Sequence, residues 1–323
     1  MGDVIHTLAA LQFVKKVYPR MRITWFVEEK FAPILEGNPH IERIVPLNLH
    51  GLKKDFSIKK LRDTLKTIQT AGPFDRIIDV QGLIKSAIVA RAAGKPVAGL
   101  DRSSAKEGVA ALLYHDTYAV NCADIAPMRF ASLISQALDL KITESMMRNK
   151  APYLFFQETD ETAELADSFD KNRQNVLIIT GASNASKTYP PERWIDVIDR
   201  LEGHNVLLVA GSESEREAAS RIERETSARL LPPMSLNALK YAVSRCDLLI
   251  GGDTGPTHVA WAMNRPSIVL FGSTPKSMMM ETPINVALTS GAKVDPCRFD
   301  KSDRSIATID PAHIADEAQR LLG

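Results

Sequence analysis

The stretch LIGGDTGPTH, residues 249–258, indicates how this 323-residue chain folds. It begins at the end of an apolar run of buried-strand length, turns through two glycines, and enters a helix near His258, where Thr254 or Thr257 can cap the helix. Free N–H groups and the positive end of a helix dipole make such a turn a natural diphosphate site. The alternative is that the glycines only satisfy turn geometry and that Asp253 is a cap. We favour that alternative for the glycines alone, and a functional turn for the whole stretch.

Apolar runs of the same kind alternate with helical patterns along the chain. Strands are predicted at Ile23–Val27, Arg76–Val80, Val97–Leu100, Val176–Thr180, Val206–Ala210, Leu248–Ile250 and Ser267–Phe271. Helices are predicted at Leu61–Ile68, Leu83–Ala93, Glu192–Leu201, Glu213–Arg224, Leu236–Ser244 and His258–Met263. This order predicts an α/β fold with parallel sheets covered by helices on both faces, in two doubly wound halves that divide within 141–175.

The composition excludes several classes of function. A hydrophobic content of 45% and a charged content of 24% are ordinary for a globular protein, and the length suits two domains. The formal charge of +1 gives no signal for nucleic acid. No apolar run approaches the ~20 residues of a membrane span, and no leader pattern precedes the first helix. A G-x-G-x-x-G after an early strand is also missing, which argues against a dehydrogenase.

Ligands of open α/β sheets bind beyond the carboxyl ends of the strands, so the other turns after strands are candidate sites. In TGASNASK, residues 180–187, small residues allow close approach of a ligand, and Lys187 can neutralise a leaving phosphate. Lone loop lysines are usually only solvated. After the run at 206–210, Glu213 or Glu215 can accept hydrogen bonds from the two hydroxyls of a ribose, although acidic residues are also favoured in the first turn of any helix.

A further turn, DVQGLIKS at residues 79–86, lies in the first half of the chain. Its Asp79, Gln81 and Lys85 surround a glycine at a strand end, which predicts a surface facing an acceptor substrate. The alternative for Asp79 is a cap on the following helix.

In this order, the turns resemble those of the heptosyltransferases of lipopolysaccharide core assembly, which are glycosyltransferases of family 9 with the GT-B fold. The motifs that carry the resemblance are MGDVIHTL at 1–8, DVQGLIKSA at 79–87, GLDRSSAKE at 99–107, SKTYPPERW at 186–194, LPPMSL at 231–236 and GGDTGPTHVAWAMNRPSIVLFG at 251–272. The resemblance implies two doubly wound Rossmann-like domains facing a central cleft. We place an N-terminal acceptor domain at 1–155 and a C-terminal nucleotide-sugar domain at 156–310. The last helix, within 311–323, is expected to pack back toward the N-terminal domain.

The activity that the resemblance implies is transfer of L-glycero-D-manno-heptose from ADP-heptose, a co-substrate, to Kdo of Kdo-lipid A with inversion. No cofactor and no metal is expected. Asp3 would be the general base and Lys187 would stabilise the ADP leaving group. The donor-binding residues would be Ser183, Glu215 at the ribose, Met234 at the adenine, Asp253 at the heptose hydroxyls, and Thr254, Gly255 and His258 at the diphosphate. For Asp3, a simple helix cap is the alternative. Rival activities are those of heptosyltransferase II or III, another nucleotide-sugar GT-B transferase, and a non-catalytic binding module.

The implied acceptor is anionic and linked to a lipid, which assigns the basic residues of the first half a role. Its predicted contacts are Lys53, Lys54, Lys59, Lys60, Gln81, Lys85, Arg102, Lys106 and Arg129. The run around Lys53–Arg62 also suits an anionic membrane, so we expect a cytoplasmic protein peripheral to the inner membrane. A solvated helix face is the alternative for so short a run.

The resemblance also bears on the opening MGD. Related enzymes place a strand and a short loop before their Gly-Asp, whereas here Met1 stands directly before it. We therefore expect that the first strand of the N-terminal sheet is missing, and that an N-terminally extended version is more active.

Overall fold

The structure is a computed structural model that describes residues 1–55, 57–297 and 300–323, with the side chain of Lys53 also left out. It contains two compact units, His6–Lys150 and Ala151–Gly323, and Met1–Ile5 group with the second of them. The division after Lys150 lies close to the predicted boundary at 155. Met1–Ile5, which we assigned to the N-terminal domain, lie instead against the turn that precedes the helix at Gly255.

The N-terminal unit is built on short parallel strands. Strands β1 (Thr24–Glu28) and β2 (Arg43–Leu47) form one parallel pair, and β3 (Ile77–Asp79), β4 (Val97–Leu100) and β5 (Asp116–Tyr118) form a three-stranded parallel sheet. The helices up to Lys150 are α1 (Gly2–Leu8), α2 (Leu11–Val17), α3 (Ala32–Leu35), α4 (Leu49–Lys54), α5 (Ile58–Gln69), α6 (Ile84–Ala93), α7 (Ala126–Ala137) and α8 (Glu144–Arg148).

Small side chains let α6 pack tightly in this unit. Ala87 and Ala90 face the core, where they share a cluster with Val97 of β4 and with Ala110 of the 3-10 helix Gly108–Leu113. The helix begins after Leu83, where Glu107 Oε2 accepts a hydrogen bond from the Ile84 amide and Ser86 Oγ accepts one from the Leu83 amide. The alternation of small and large residues along α6 therefore sets which side is buried.

The C-terminal unit contains one six-stranded parallel sheet in the order β11-β10-β9-β6-β7-β8. Its strands are β6 (Asn175–Ile179), β7 (Asn205–Val209), β8 (Arg229–Leu230), β9 (Leu248–Gly252), β10 (Ser267–Phe271) and β11 (Asn285–Thr289). Its helices are α9 (Asp160–Ala166), α10 (Pro191–Asp199), α11 (Glu213–Glu225), α12 (Leu236–Arg245), α13 (Gly255–Ala262) and α14 (Pro311–Leu322). This is the doubly wound order, and its strand sequence reverses between β6 and β9, where such folds bind ligands.

The sequence-based strands and helices are confirmed to within a few residues, including the start of α10 at its prolines. The last helix, α14, packs against α10 and against β9 and β10 of its own unit, with Ile314 and Ala318 buried. Its expected contact with the N-terminal half stays a prediction. In the described part of the chain, every helix is too short or too polar to cross a membrane.

Candidate active site

A cluster of three charged or ionisable side chains lies where the strand order reverses. Lys187 follows β6, and Asp253 and His258 follow β9, its neighbour in the sheet. Lys187 Nζ lies 2.6 Å from Asp253 Oδ2, and His258 Nε2 lies 3.1 Å from Asp253 Oδ1. Asp253 and His258 are both only 4% exposed, so their interactions are formed away from water. The structure thus brings together three of the residues predicted from separate turns.

The backbone around the cluster explains why these positions require small residues. A Cβ on Gly252 would lie 2.2 Å from the carbonyl oxygen of Lys187, so only glycine allows the turn after β6 to pack here. Thr257 Oγ1 donates to the carbonyl of Gly252 at 2.8 Å, which ties the end of β9 to the first turn of α13. Of the two threonines offered as caps, Thr254 occupies the N-cap position, without a capping bond from its side chain.

Electrostatics keep Asp253 ionised. Burial raises the pKa of Asp253, but the hydrogen bond with His258 and the positive charge of Lys187 outweigh burial and hold that pKa well below the usual carboxyl range. The Lys187 side chain is 19% exposed, against 3% for Asp253, so the ammonium group is the more accessible member of the pair. An accessible ammonium beside the N-terminus of α13 is suited to binding a phosphate group.

The start of the chain lies beside this cluster. A Cβ on Gly2 would lie 3.4 Å from Cδ2 of His258, and a Cβ on Gly255 would lie 2.5 Å from the Met1 side chain. Asp3 therefore occupies the first turn of α1 directly after a residue that contacts His258. The predicted base and the predicted donor turn are neighbours within one compact unit.

Glu215 lies between the turns that follow β6 and β7. Its Oε2 accepts hydrogen bonds from the amides of Gly211 and Ser212, at 2.7 and 3.0 Å, which completes a capping box at the start of α11. A Cβ on Gly181 would lie 2.0 Å from Cδ of Glu215, so the carboxylate faces the turn that leads to Lys187. Ser183 in that turn is exposed.

The loop that contains Met234 is anchored at both ends. Arg216 Nη1 donates to the carbonyl of Leu231 at 3.0 Å, and Glu161 accepts from both the amide and the hydroxyl of Ser235, each at 2.6 Å. Two prolines between the anchors restrict the backbone, so the anchors set the position of the half-buried Met234. Sequence reasoning missed Glu161, because it is 74 residues away from its partner.

In the N-terminal unit, three predicted acceptor residues line one small pocket of about 20 Å³, room for a group the size of one water. They are Gln81, Lys106 and Arg129. The remaining lining residues are Val80, Leu100, Ser104, Val120, Phe130 and Leu133. Two cationic side chains and an amide, together with Ser104 and mainly apolar residues, are suited to an anionic group such as a carboxylate.

A buried carboxylate holds the loop that bears Gln81. Asp79 accepts hydrogen bonds from the Gln81 amide at 2.9 Å, from Ser86 Oγ at 2.7 Å and from Tyr114 Oη at 2.7 Å. Burial and the adjacent Asp79 carboxylate raise the pKa of Tyr114 well above its ordinary value, so its hydroxyl remains a donor. The Tyr114 ring packs against Gly99, where a Cβ would lie 2.3 Å away. Tyr114 carries no local sequence signal and was not predicted.

The other predicted acceptor residues do not line this pocket. Lys85 and Arg102 are exposed near it in sequence, whereas Lys54, Lys59 and Lys60 are exposed on α4 and α5, and Lys60 pairs with Asp55. The side chain of Lys53 lies outside the described part. Among the residues that the structure describes, no group of three or more His, Cys, Asp or Glu side chains is placed to hold a metal ion.

Comparison with solved structures defines the class. A glycosyl transferase family 9 protein from Veillonella parvula superposes with a TM-score of 0.82 at 18% identity, over 100% of this chain and 94% of that one. The structure of Escherichia coli heptosyltransferase WaaC with ADP superposes with a TM-score of 0.79 at 22% identity, over 99% and 97%. The fold is that of a GT-B glycosyltransferase, as predicted.

Sequence comparison then identifies the family. The profile of Glycosyltransferase family 9 (heptosyltransferase) matches residues 59–301. Lipopolysaccharide heptosyltransferase 1 of Campylobacter coli is 31% identical over 100% of this chain and 96% of the relative, and that of Pseudomonas aeruginosa is 33% identical over 85% and 76%. The chain belongs to glycosyltransferase family 9, the heptosyltransferases.

Proposed function

We propose that the chain transfers L-glycero-D-manno-heptose from ADP-heptose to Kdo of Kdo-lipid A, with inversion, in the synthesis of the lipopolysaccharide inner core. The observation that carries the proposal is the cluster of Lys187, Asp253 and His258 beside α13, at the reversal of the strand order. Relatives named lipopolysaccharide heptosyltransferase 1 support the acceptor class. Solved structures of WaaC with ADP and with ADP-2-deoxy-2-fluoro heptose support the donor.

The donor would lie across the carboxyl ends of β6, β7 and β9. Its diphosphate would bind the N-terminus of α13 at Thr254 and Gly255, with Lys187 and His258 as side-chain donors. Asp253 would accept from heptose hydroxyls. The ribose would lie at Glu215 and the adenine at Met234, with Ser183 at the edge of the site.

The chemistry needs a base on the acceptor and stabilisation of the leaving group. A Kdo hydroxyl oxygen attacks the anomeric carbon as the bond from that carbon to the diphosphate oxygen breaks, and its proton passes to Asp3. The charge that develops on ADP is stabilised by Lys187 and by the amides of α13. Direct displacement needs no nucleophilic carboxylate, in keeping with inversion. Neither a metal nor a cofactor takes part in this proposal.

The acceptor would bind the N-terminal unit. The pocket at Gln81, Lys106 and Arg129 offers positive charge and an amide for a Kdo carboxylate, with Lys85 and Arg102 exposed nearby. The lysines of α4 and α5 would face the phosphates of lipid A and the cytoplasmic side of the inner membrane.

The test is turnover of the purified chain with ADP-heptose and two acceptors, Kdo-lipid A and the already heptosylated core. We expect turnover with Kdo-lipid A alone, and Asp3→Ala is expected to abolish turnover while donor affinity is retained. Asp160→Ala, which removes another first-turn carboxylate from a short helix, is the matched control and leaves turnover unchanged. Turnover restricted to the heptosylated acceptor would favour heptosyltransferase II or III, and donor binding without turnover would favour a binding module.

A further inference from the structure

The N-terminal unit exposes large apolar side chains on two adjacent elements. Ile84 and Ile88 of α6 are 40% and 53% exposed, and Val109 and Leu112 of the 3-10 helix Gly108–Leu113 are 59% and 80% exposed. Residues four apart share a face of an α-helix, and residues three apart share a face of a 3-10 helix. We call these four side chains the apolar face. Exposed apolar groups gathered in this way mark interaction sites.

Helix α6 and the 3-10 helix Gly108–Leu113 contact each other through their buried side. Ala87 and Ala90 of α6 lie in one core cluster with Ala110 of the 3-10 helix. On the exposed side, the Ile84 amide donates a hydrogen bond to Glu107 Oε2 at 2.6 Å. The small residues therefore fill the contact between the elements, and the large ones remain outside.

Around the apolar face, the exposed cations Lys85, Arg91 and Lys106 outnumber the exposed acid Glu107, which directly precedes the 3-10 helix. The sequences of α6 and the 3-10 helix, IKSAIVARAA and GVAALL, contain Lys85 and Arg91 and no acidic residue, and both cations are exposed. Arg91 Nη1 also lies 2.8 Å from the His115 ring. Apolar side chains bordered by Lys and Arg are complementary to an anionic bilayer surface.

We infer that the apolar face docks on an anionic bilayer, with its four side chains in the headgroup region and with Lys85 and Arg91 at lipid phosphates. Gln81 of the acceptor pocket lies just before this face in the chain, so docking would present the pocket to a substrate embedded in the same membrane. The inference rests on the proposed function in one respect, that the acceptor is linked to a lipid.

The binding test uses sedimentation with phosphatidylcholine vesicles that contain or lack phosphatidylglycerol. The unmodified chain is expected to bind the anionic vesicles. The double variant Ile88→Ser/Leu112→Ser is expected to bind them with an affinity lower by about tenfold or more. Val17→Ser, which removes an apolar side chain 53% exposed on α2, is the matched control and binds normally. Because Ile88 and Leu112 are exposed, the double variant is expected to keep the thermal unfolding midpoint of the unmodified chain. Weaker vesicle binding would then not be caused by unfolding.

Activity separates this inference from the proposed function. The double variant is expected to raise KM about tenfold for vesicle-embedded Kdo-lipid A, and to leave KM unchanged for a deacylated, soluble acceptor. A chain without turnover on either acceptor contradicts the proposed function, while vesicle binding still decides the inference. Undiminished vesicle binding by the double variant overturns the inference. Vesicle binding that is abolished by Lys59→Ala/Lys60→Ala and not by the double variant also overturns the inference. So does a dimer of the unmodified chain, detected by light scattering, that the double variant dissociates.

Discussion

Replacing Lys187 by alanine is expected to destabilise the C-terminal unit and to slow turnover. The substitution leaves the buried carboxylate of Asp253 with His258 as its remaining side-chain partner at the reversal point. Removing one member of a buried ion pair costs about 3 kcal/mol in unfolding free energy, because the other charge stays desolvated. Loss of the cation that we propose stabilises the ADP leaving group is expected to lower kcat about a hundredfold.

The chain offers a matched control in Lys276→Ala. Lys276 also pairs with a carboxylate of the same unit, Glu281 at 2.9 Å, but the two side chains are 61% and 39% exposed. An exposed pair contributes about 1 kcal/mol or less. Urea unfolding followed by fluorescence measures both variants. A Trp25→Phe background removes the tryptophan of the N-terminal unit, so that Trp194 and Trp261 report the C-terminal unit alone.

The pH dependence of the unfolding free energy tests independently whether the buried Asp253 charge causes the loss of stability. The pKa of Asp253 is lowered in the folded protein, so its stabilisation is complete above the ordinary carboxyl pKa of about 4 and is lost as pH falls through the lowered value. The stability gap between the unmodified chain and Lys187→Ala should therefore be full at neutral pH and narrow in acid. A gap no larger than that of Lys276→Ala, or one that persists unchanged in acid, would refute the reasoning, and an unchanged kcat would remove Lys187 from the site.

We make two further predictions, for the positioning residues Tyr114 and Glu161, which steady-state kinetics can check. Tyr114→Phe keeps the ring but removes the hydroxyl that donates a hydrogen bond to Asp79, so KM for the acceptor should rise about fivefold while KM for the donor is unchanged. The control Tyr18→Phe removes a hydroxyl that donates to a backbone carbonyl of the same unit, and it should change neither KM. Glu161→Gln weakens the anchor of the loop before α12, so KM for the donor should rise about fivefold with kcat little changed, whereas Glu164→Gln on the same helix should have no effect. An equal change in each control would show that these effects are not specific to the site.

The strands that the sequence did not predict share one physical property. The strands β2, β5, β8 and β11 each lie at the edge of a sheet. Each of these four strands contains at least one exposed residue, whereas the edge strands β1 and β3, which were predicted, contain none. The four therefore lack the continuous apolar run that identified β6, β9 and β10. In β2, Pro46 also stands within the strand, which an edge tolerates and a central strand does not. Periodicity therefore identified mainly strands whose two faces are covered.

That Lys187, Asp253 and His258 lie close together was predictable for a topological reason. Parallel strands bring their carboxyl ends to one edge, so the residues after each apolar run were candidates before any contact was known. Lys187, Asp253 and His258 were found in this way, as were Gln81 and Lys85. By contrast, Glu161 and Tyr114 act through partners far away in sequence, and no local pattern distinguishes them from ordinary helix or core residues.

The structure also changes how the predicted roles relate to one another. The sequence assigned Lys187 to the leaving group, Asp253 to the sugar and His258 to the diphosphate, as though each acted alone. In the folded protein both Lys187 and His258 are bonded to the same buried carboxylate, so each substitution alters the charge and geometry of the other two. Residues that share partners in this way do not have additive energies. An effect measured for one of them therefore belongs to the cluster, and a double-mutant cycle is the measurement that apportions it.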